Sequence, residues 1–585
     1  MITWRPKLPK IEYVLRDGRY ALRLGRFYIS QSTFLVVTAV LVGIGGGFGA
    51  VLFRALIYGE TQLAFNVIGT RLGAILGPVG VVVQLALGGA IAAWIASTFA
   101  PEARGHGVPE VMEAVALRGG RMRPRVIGIK ALASASSIGF GGSCGREGPI
   151  VQIGSAIGSV IGRITQAPAP IVRTLVACGA AAGISATFNA PIGGVFFAAE
   201  VILGEFAPRS FAAIVVASVV SAVVGRAFLG NHPSFNASAF NLVSPAELTL
   251  YAILGIIAAV WAAGFVRMLY GFEDAFDKIR LQAWIKGAIG FALVGVIGIW
   301  FPQIFGVGYG PMQQVLDEHV AARHALVLAA LKPLATSLTL GAGGSGGVFA
   351  PSLFTGAFLG DWFGRIVHDL FPAWTAAPAA YGLVGMAAVF AAAAEAPITA
   401  IMIVFEMSND YTIVLPLMVC VVISTLLGRR LIGGTVYELK LLRRGIDWQR
   451  VRRPRFLSRV NVSSIERTPP VVADPDETIA SLATRVASSD ELMIPVCNQG
   501  QFFGVVSSAD LAHAVSGGKA NNSVRTIANA SPERLARDDT VERAATLMAD
   551  PAIALLPVVE PSTERLLGIV TRRDVLQIYR SLTDV

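Results

Sequence analysis

In Gly-Gly-Ser-Cys-Gly-Arg-Glu-Gly-Pro, residues 141–149, an arginine and a glutamate stand side by side among glycines, in a chain that is otherwise overwhelmingly apolar. Two other stretches share the pattern of freed backbone followed by a helix start: Gly-His-Gly-Val-Pro-Glu (105–110) and Gly-Gly-Ser-Gly-Gly-Val-Phe-Ala-Pro (343–351). Glycine lets backbone N–H groups approach a ligand closely, and Pro109 and Pro149 stand where proline suits a first helical turn. A helix N-terminus offers unpaired donors and a partial positive charge, which together favour an anion. Three such ends converging would make an anion pathway without any lysine in it. One end contributes roughly 0.3–2 kcal/mol, whereas a bare anion in low dielectric costs on the order of tens of kcal/mol. Side-chain donors and residual water must supply the rest, and a full cation could overbind an ion that has to leave. At the start of its helix, Glu147 can place its carboxylate where a permeant anion would sit and can vacate that place when protonated or swung away. Glu147 is therefore a candidate gate. The plainer alternative is a glutamate that only satisfies the helix dipole. Arg146 is either a vestibule charge that attracts anions or a neutralising neighbour.

The elements that must hold these ends are apolar. With 585 residues, 54% hydrophobic and 15% charged, and a mean hydropathy of +0.63, the chain is expected to be an all-α polytopic membrane protein and not a soluble enzyme. Runs near the length that spans a bilayer, about 20 residues, occur at 34–58, 74–99, 210–229, 245–269, 284–301, 323–341 and 411–428. Shorter pieces cut by Gly and Pro lie at 170–185 and 190–206. Broken helices at membrane depth are tolerated only where protein or a polar cavity satisfies the freed backbone groups. The net charge of +10 does not indicate nucleic acid, because the basic residues gather at 5–26 and 440–455, beside apolar spans. By the positive-inside rule both termini then face the cytoplasm, and a bacterial inner membrane is the expected location. The N-terminal segment lacks the apolar core of a cleavable signal peptide and is read as mature sequence. Cys144, Cys178, Cys420 and Cys497 have no metal-ligand spacing. The six histidines form no HExxH-like group, and no Walker-type phosphate loop is present. No metal site, no required cofactor and no direct coupling to ATP hydrolysis is expected.

A composition shift near residue 449 divides the chain. Beyond it, residues 493–511 match residues 555–576, with Gly504 and Gly568 placed 64 residues apart. Each copy reads as strand, turn, strand, then Ser/Thr-x-x-Asp opening a helix, and helical stretches at 477–488 and 540–549 precede them. On those residues the tail resembles a tandem pair of CBS domains over roughly 463–585, an α/β cytosolic unit. The membrane part also repeats. Pro-x4-Gly-x3-Gly starts at Pro149 and again at Pro351, 202 residues on, and Pro191/Glu200 recurs as Pro397/Glu406 at an offset of 206. Two motifs in one order at nearly one spacing argue for a duplicated membrane half. In a duplicated bundle with interrupted helices, substrate sits near the midplane facing helix ends.

These interruptions, with Thr-Val-Tyr-Glu-Leu-Lys-Leu-Leu-Arg-Arg-Gly (435–445), make residues 30–446 resemble the CLC family of chloride channels and chloride/proton antiporters. The resemblance implies an inverted-repeat fold and a homodimer with one chloride pathway per subunit. Glu147 matches the family's external gating glutamate, the N–H groups of Val348 and Phe349 its central chloride contacts, and Tyr437 the tyrosine that helps close the inner end. Gly107, Gly148 and Arg146 join the expected anion-contacting set. His106 stands where the family usually has a serine whose hydroxyl contacts the anion. An imidazole N–H can donate to chloride, or the ring turns toward the inner vestibule, so anion selectivity is left open. Val201 stands where antiporters usually carry an internal proton-transfer glutamate. Valine cannot carry a proton and channels generally have it there, although some antiporters dispense with the acid. Glu200 and Glu406 more often have a structural role in the family.

A gated chloride channel is therefore the first expectation and chloride/proton antiport the alternative. A CBS-regulated cation transporter and a non-transporting sensor are the rivals from other classes. In the tail, Ser507/Asp510 and Thr571/Asp574 match CBS positions that often hold the phosphate and ribose of adenine nucleotides; alternatively each Asp only caps the following helix. The expected organisation is a cytosolic segment at 1–30 and a membrane domain at 31–446, with halves at about 31–230 and 245–446. A basic linker at 447–462 and CBS repeats at about 463–518 and 523–583 complete it.

Overall fold

Where the sequence stays apolar for a bilayer's width it forms one long helix, and where Gly or Pro interrupts it the helices stop short. The computed structural model describes residues 12–16, 19–24, 27–231, 233–235, 242–448, 460–487, 492–550 and 553–583. These fall into two units, Met1–Arg452 and Arg453–Val585. The expected basic linker lies mostly outside the described residues, as do residues 1–11 of the N-terminal segment. The described residues of that segment form a three-stranded antiparallel meander of β1 (Glu12–Arg16), β2 (Arg19–Leu24) and β3 (Phe27–Ser30).

The first half of the membrane unit contains α1 (Gln31–Thr61), continued through a π-helical segment into α2 (Thr70–Leu76), then α3 (Val79–Phe99), α4 (Val108–Leu117) and α5 (Arg125–Gly139). It goes on with α6 (Glu147–Ile164), α7 (Ala169–Phe188), α8 (Pro191–Phe197) and α9 (Pro208–Leu229). The second half comprises α10 (Glu247–Lys278), α11 (Ala283–Trp300), α12 (Tyr309–Leu316), α13 (Ala322–Gly341) and α14 (Phe349–Leu370). It closes with α15 (Pro378–Ala394), α16 (Pro397–Ser408), α17 (Val414–Ile432) and α18 (Val436–Arg443). Among the described residues eight helical stretches are long and apolar enough to cross a membrane. One of them, α7, spans 20 residues where the sequence suggested only a short cut piece at 170–185.

The duplication is visible in the packing. α6 lies on α7 and α14 lies on α15, and in both pairs small residues let the backbones touch. A Cβ at Gly154 or Gly356 would drive into the backbone of Gly179 or Gly385, respectively. The repeated Gly-x3-Gly thus serves helix packing and not ligand approach. α15, apolar on every side, is buried along its whole length, as an all-round hydrophobic helix should be.

The second unit contains α19 (Ile479–Val486), β4 (Met493–Asn498), β5 (Gln501–Ser507), α20 (Ser508–Ser516), α21 (Val541–Leu547), β6 (Leu555–Val559), β7 (Leu566–Thr571) and α22 (Arg572–Thr583). β4 pairs antiparallel with β5 and β6 with β7, each with a register shift at the matching position, Val496/Cys497 and Val558/Val559. Each repeat has its own apolar cluster, one around Ile479, Val496 and Val506 and the other around Val541, Val558 and Val570.

Candidate anion pathway

Glycine-rich loops at three places in the sequence come together in one place in the fold. Gly145 N–H donates to the Gly347 carbonyl at 2.7 Å and Gly347 N–H donates back at 2.6 Å. Gly105 N–H donates to Gly344 O at 3.2 Å, and Gly346 N–H donates to Gly105 O at 3.3 Å. The N-termini of α4, α6 and α14 follow directly from these loops. Gly107 caps α4 at φ 87°, and a Cβ at Gly148 would collide with the carbonyl of His106. Gly107 and Gly148 therefore allow the ends of α4 and α6 to meet.

The loops are clamped from behind by hydroxyls of the opposite half. Ser345 N–H donates to Ser137 Oγ of α5 at 2.9 Å, and Ser345 Oγ lies 2.8 Å from Ser134 Oγ. In the mirror arrangement Ser143 N–H donates to Thr339 Oγ1 of α13 at 3.1 Å, and Ser143 Oγ lies 3.3 Å from Thr336 Oγ1. Each member of one set stands 202 residues from its counterpart in the other. The same offset relates Lys130 and Lys332, both fully buried. Lys130 Nζ donates to the carbonyls of Ala103 and Gly105 at 2.9 and 2.8 Å, and Lys332 Nζ to those of Ile304 and Gly306 at 2.9 and 2.8 Å. Two lysines therefore stand behind the loops with their Nζ atoms on backbone carbonyls, and Lys332 is near enough to Glu147 for the two to interact electrostatically. Each is a single cation inside an apolar run, and only the repeat offset relates the two in the sequence.

Glu147 is the first residue of α6 and is 1% exposed. Its Oε1 accepts a 2.8 Å hydrogen bond from Tyr309 Oη. The carboxylate is turned toward the N–H groups of Glu147 itself and of Ala350, in the first turn of α14. Gly145 makes this possible, because a Cβ there would run into Glu147 Oε2. Val348 caps α14 and Phe349 begins it, both 2% exposed. Among the described residues their backbone N–H groups donate to no protein acceptor. Tyr437 is 2% exposed on α18, whose N-terminus is closed by a capping box between Thr435 and Glu438. Tyr437 feels the charge of Glu147, and its hydroxyl joins no hydrogen bond among the described residues.

His106 is 3% exposed, with Nδ1 lacking a protein partner and its ring 6.3 Å from that of Tyr270. The Tyr270 hydroxyl donates to the carbonyl of Val436, beside Tyr437. Lys130, Lys440 and Arg444 are the cations around His106. Arg146 stacks its guanidinium 4.8 Å above the Tyr309 ring and donates to Thr187 O at 3.5 Å. It lines a cavity of about 360 Å³ together with Arg54, Arg226, Ser234 and Tyr309. A second cavity, of about 380 Å³, is walled by Glu110, Glu113, Gln152, Arg118 and Arg444.

Val201 lies in the π-helical continuation of α8 and is 6% exposed. The neighbouring Glu200 accepts from Thr399 N–H at 2.9 Å and from Thr399 Oγ1 at 2.7 Å, capping α16. Glu406 on α16 accepts from Ile192 and Gly193 N–H at 3.0 and 2.7 Å, capping α8. The two acids therefore exchange caps between the halves.

In the tail, Ser507 Oγ bonds to Asp510 Oδ2 at 2.6 Å and accepts from Asp510 N–H at 3.0 Å. Asp574 Oδ2 accepts from Thr571 N–H at 2.8 Å and Thr571 Oγ1 at 2.6 Å, and Arg467 approaches it at 3.3 Å. Both pairs occupy helix-start positions.

Two inverted halves whose broken helices meet N-terminus to N-terminus around a carboxylate define a class of membrane protein that moves anions. The chain belongs to the voltage gated chloride channel family, whose model matches residues 88–429, and it carries CBS domains at 462–517 and 524–581. It is 33% identical over 349 residues to a putative chloride channel protein ClcB-like from Ralstonia nicotianae, covering 59% of this chain and 81% of that one. It is 31% identical over 442 residues to the H(+)/Cl(−) exchange transporter ClcA of Citrobacter koseri, covering 73% and 92%. Among solved structures it resembles a slow cyanobacterial Cl−/H+ antiporter, with a TM-score of 0.65 and 27% identity over 70% of this chain and 97% of that one. A eukaryotic CLC transporter shares the fold over 92% of this chain and 97% of that one, at a TM-score of 0.61 and 21% identity.

Proposed function

We propose that this protein passes chloride through a pathway gated by Glu147, channel-like in that Val201 supplies no internal proton acceptor. The observation that carries the reading is the Glu147 carboxylate lying between the N-termini of α6 and α14, where an anion would be held. Backbone N–H groups of Val348 and Phe349, with Gly107, Gly148 and the donor at His106, make the berth, and Tyr437 narrows its other end. Arg146 gathers anions into the cavity that leads to Glu147. Protonation removes the carboxylate charge and frees the site for chloride. Chloride/proton exchange is the second reading, favoured by the names of relatives such as the Citrobacter koseri transporter.

The test is purified protein in liposomes with chloride and proton electrodes. Chloride flux down its gradient with no uphill proton movement supports conduction, and coupled proton movement supports exchange. Glu147→Gln opens the gate and flattens the acid activation in either case; unchanged gating and coupling would remove Glu147 from its role. Current that persists in a large impermeant anion and follows magnesium would favour the cation-transport rival, and no flux at all the sensor. We further assign the membrane domain to 31–446, a homodimeric assembly, a bacterial inner membrane with both termini cytoplasmic, and a CBS pair that binds an adenine nucleotide at Ser507, Asp510, Thr571 and Asp574. The last site requires Asp510 and Asp574 to leave their capping bonds.

A further inference from the structure

We propose that Tyr309 is a latch on the gate: its hydroxyl holds the Glu147 carboxylate among the helix ends, and its ring, weighted by Arg146, covers that carboxylate from the arginine-lined cavity. The inference rests on Glu147 being the gate. Four side chains converge on the tyrosine. The hydroxyl donates to Glu147 Oε1 at 2.8 Å. The Arg146 guanidinium lies 4.8 Å from the ring centroid, a favourable cation–π distance. Phe188 and Phe235 pack against the ring with centroids 6.5 and 5.7 Å away. The ring also forms part of the wall of the 360 Å³ cavity, so an anion arriving there meets Tyr309 before it meets the berth.

The backbone fixes this placement. Gly308 caps α12 at φ 93°, as Gly107 caps α4 at φ 87°. Val108 is the first residue of α4 and Tyr309 the first of α12, 201 residues apart. The duplicated position thus carries a hydroxyl on only one side of the pathway. The other groups facing Glu147 are Arg146 at its own cap, Ala350 N–H from α14, Lys332 from α13, Tyr437 from α18 and Cys144 in the loop. Among the described side chains that face Glu147, Tyr309 is the one that donates a hydrogen bond to the carboxylate. Opening therefore requires that bond to break as the carboxylate is protonated or withdrawn.

Tyr309→Phe keeps the ring and removes the donor. A hydrogen bond to a charged group is commonly worth about a tenfold bias, so the acid activation of chloride flux in liposomes shifts up by about one pH unit. Chloride binding to the detergent-solubilised variant at neutral pH tightens several-fold, because the carboxylate competes less well. In a Glu147→Gln background the same substitution changes neither measurement. An unshifted midpoint and unchanged chloride binding in Tyr309→Phe, with Glu147→Gln still open, overturns the latch and leaves the gate intact. Equal effects with and without Glu147 overturn it too, since the tyrosine would then act on something else. If Glu147→Gln itself has no effect, the gate reading is what fails. Equilibrium binding keeps the question answerable if the variant reconstitutes poorly.

Discussion

At the residue scale, the proposed pathway sets the carboxyl of Glu147 against several fixed donors. His106 stands where the family usually has a serine, and the Nδ1 of its buried ring has no protein partner among the described residues. Exchanging one donor geometry for another is worth about 0.5–1.5 kcal/mol, or roughly a two- to tenfold change in relative permeation. His106→Ser therefore alters the chloride-to-nitrate flux ratio by that factor while Glu147-dependent gating persists. An unchanged ratio would turn the ring away from the ion. Lys332 makes a different kind of contribution. Its ammonium satisfies two loop carbonyls and supplies charge beside Glu147. Lys332→Met leaves those carbonyls without a donor at a cost of about 1–3 kcal/mol each, read as a lowered Tm in detergent, and weakens chloride binding in step.

At the element scale, helix ends carry the design, and their legibility in the sequence was uneven. The interruptions at 105–110, 141–149 and 343–351 announced themselves because glycine and proline punctuate helices in known ways. Gly306–Pro311 has the same Gly-x-Gly start as Gly105–Gly107 but was not singled out, so Tyr309 was missed. The hydroxyls of Ser134, Ser137, Thr336 and Thr339 were illegible for a different reason: a serine or threonine in an apolar run says nothing until its partner 202 residues away is known. The resemblance implies a structural role for Glu200 and Glu406, and that each caps a helix of the other half is visible only in the fold. Glu406→Ala removes both acceptors from the start of α8, which costs about 1–2 kcal/mol. Thermal unfolding of the solubilised protein falls accordingly, while the anion selectivity of the remaining folded protein is unaltered. A selectivity change would mean that the cap shapes the pathway.

At the scale of the whole molecule, the chain is a membrane unit followed by a unit with its own apolar clusters. Residues 453–585 are therefore expected to fold when produced alone, with a cooperative unfolding transition by circular dichroism; a non-cooperative melt would make them dependent on the rest. Within that unit, burial pushes the Cys497 thiol up to about 11. A raised thiol value means that the folded form keeps its proton longer than the unfolded chain does. The corresponding stability is complete below the ordinary thiol range near 9 and is lost as pH rises through it toward about 11. Cys497→Ala removes this part of the alkaline decline, measured against the parent by urea unfolding between those pH values. The two-unit organisation was readable from composition and from the Gly504/Gly568 repeat. The β1–β3 meander was not, because so short a stretch of mixed basic and aromatic residues has no decisive period.

The exchanged caps of Glu200 and Glu406 also bear on how the protein is made. A ribosome delivers α8 into the bilayer long before residue 406 exists, so the donors at Ile192 and Gly193 must wait, open, for roughly two hundred further residues to be translated. Until the late half arrives, those two N–H groups have no acceptor from Glu406 and must be met by water or by other atoms of the chain.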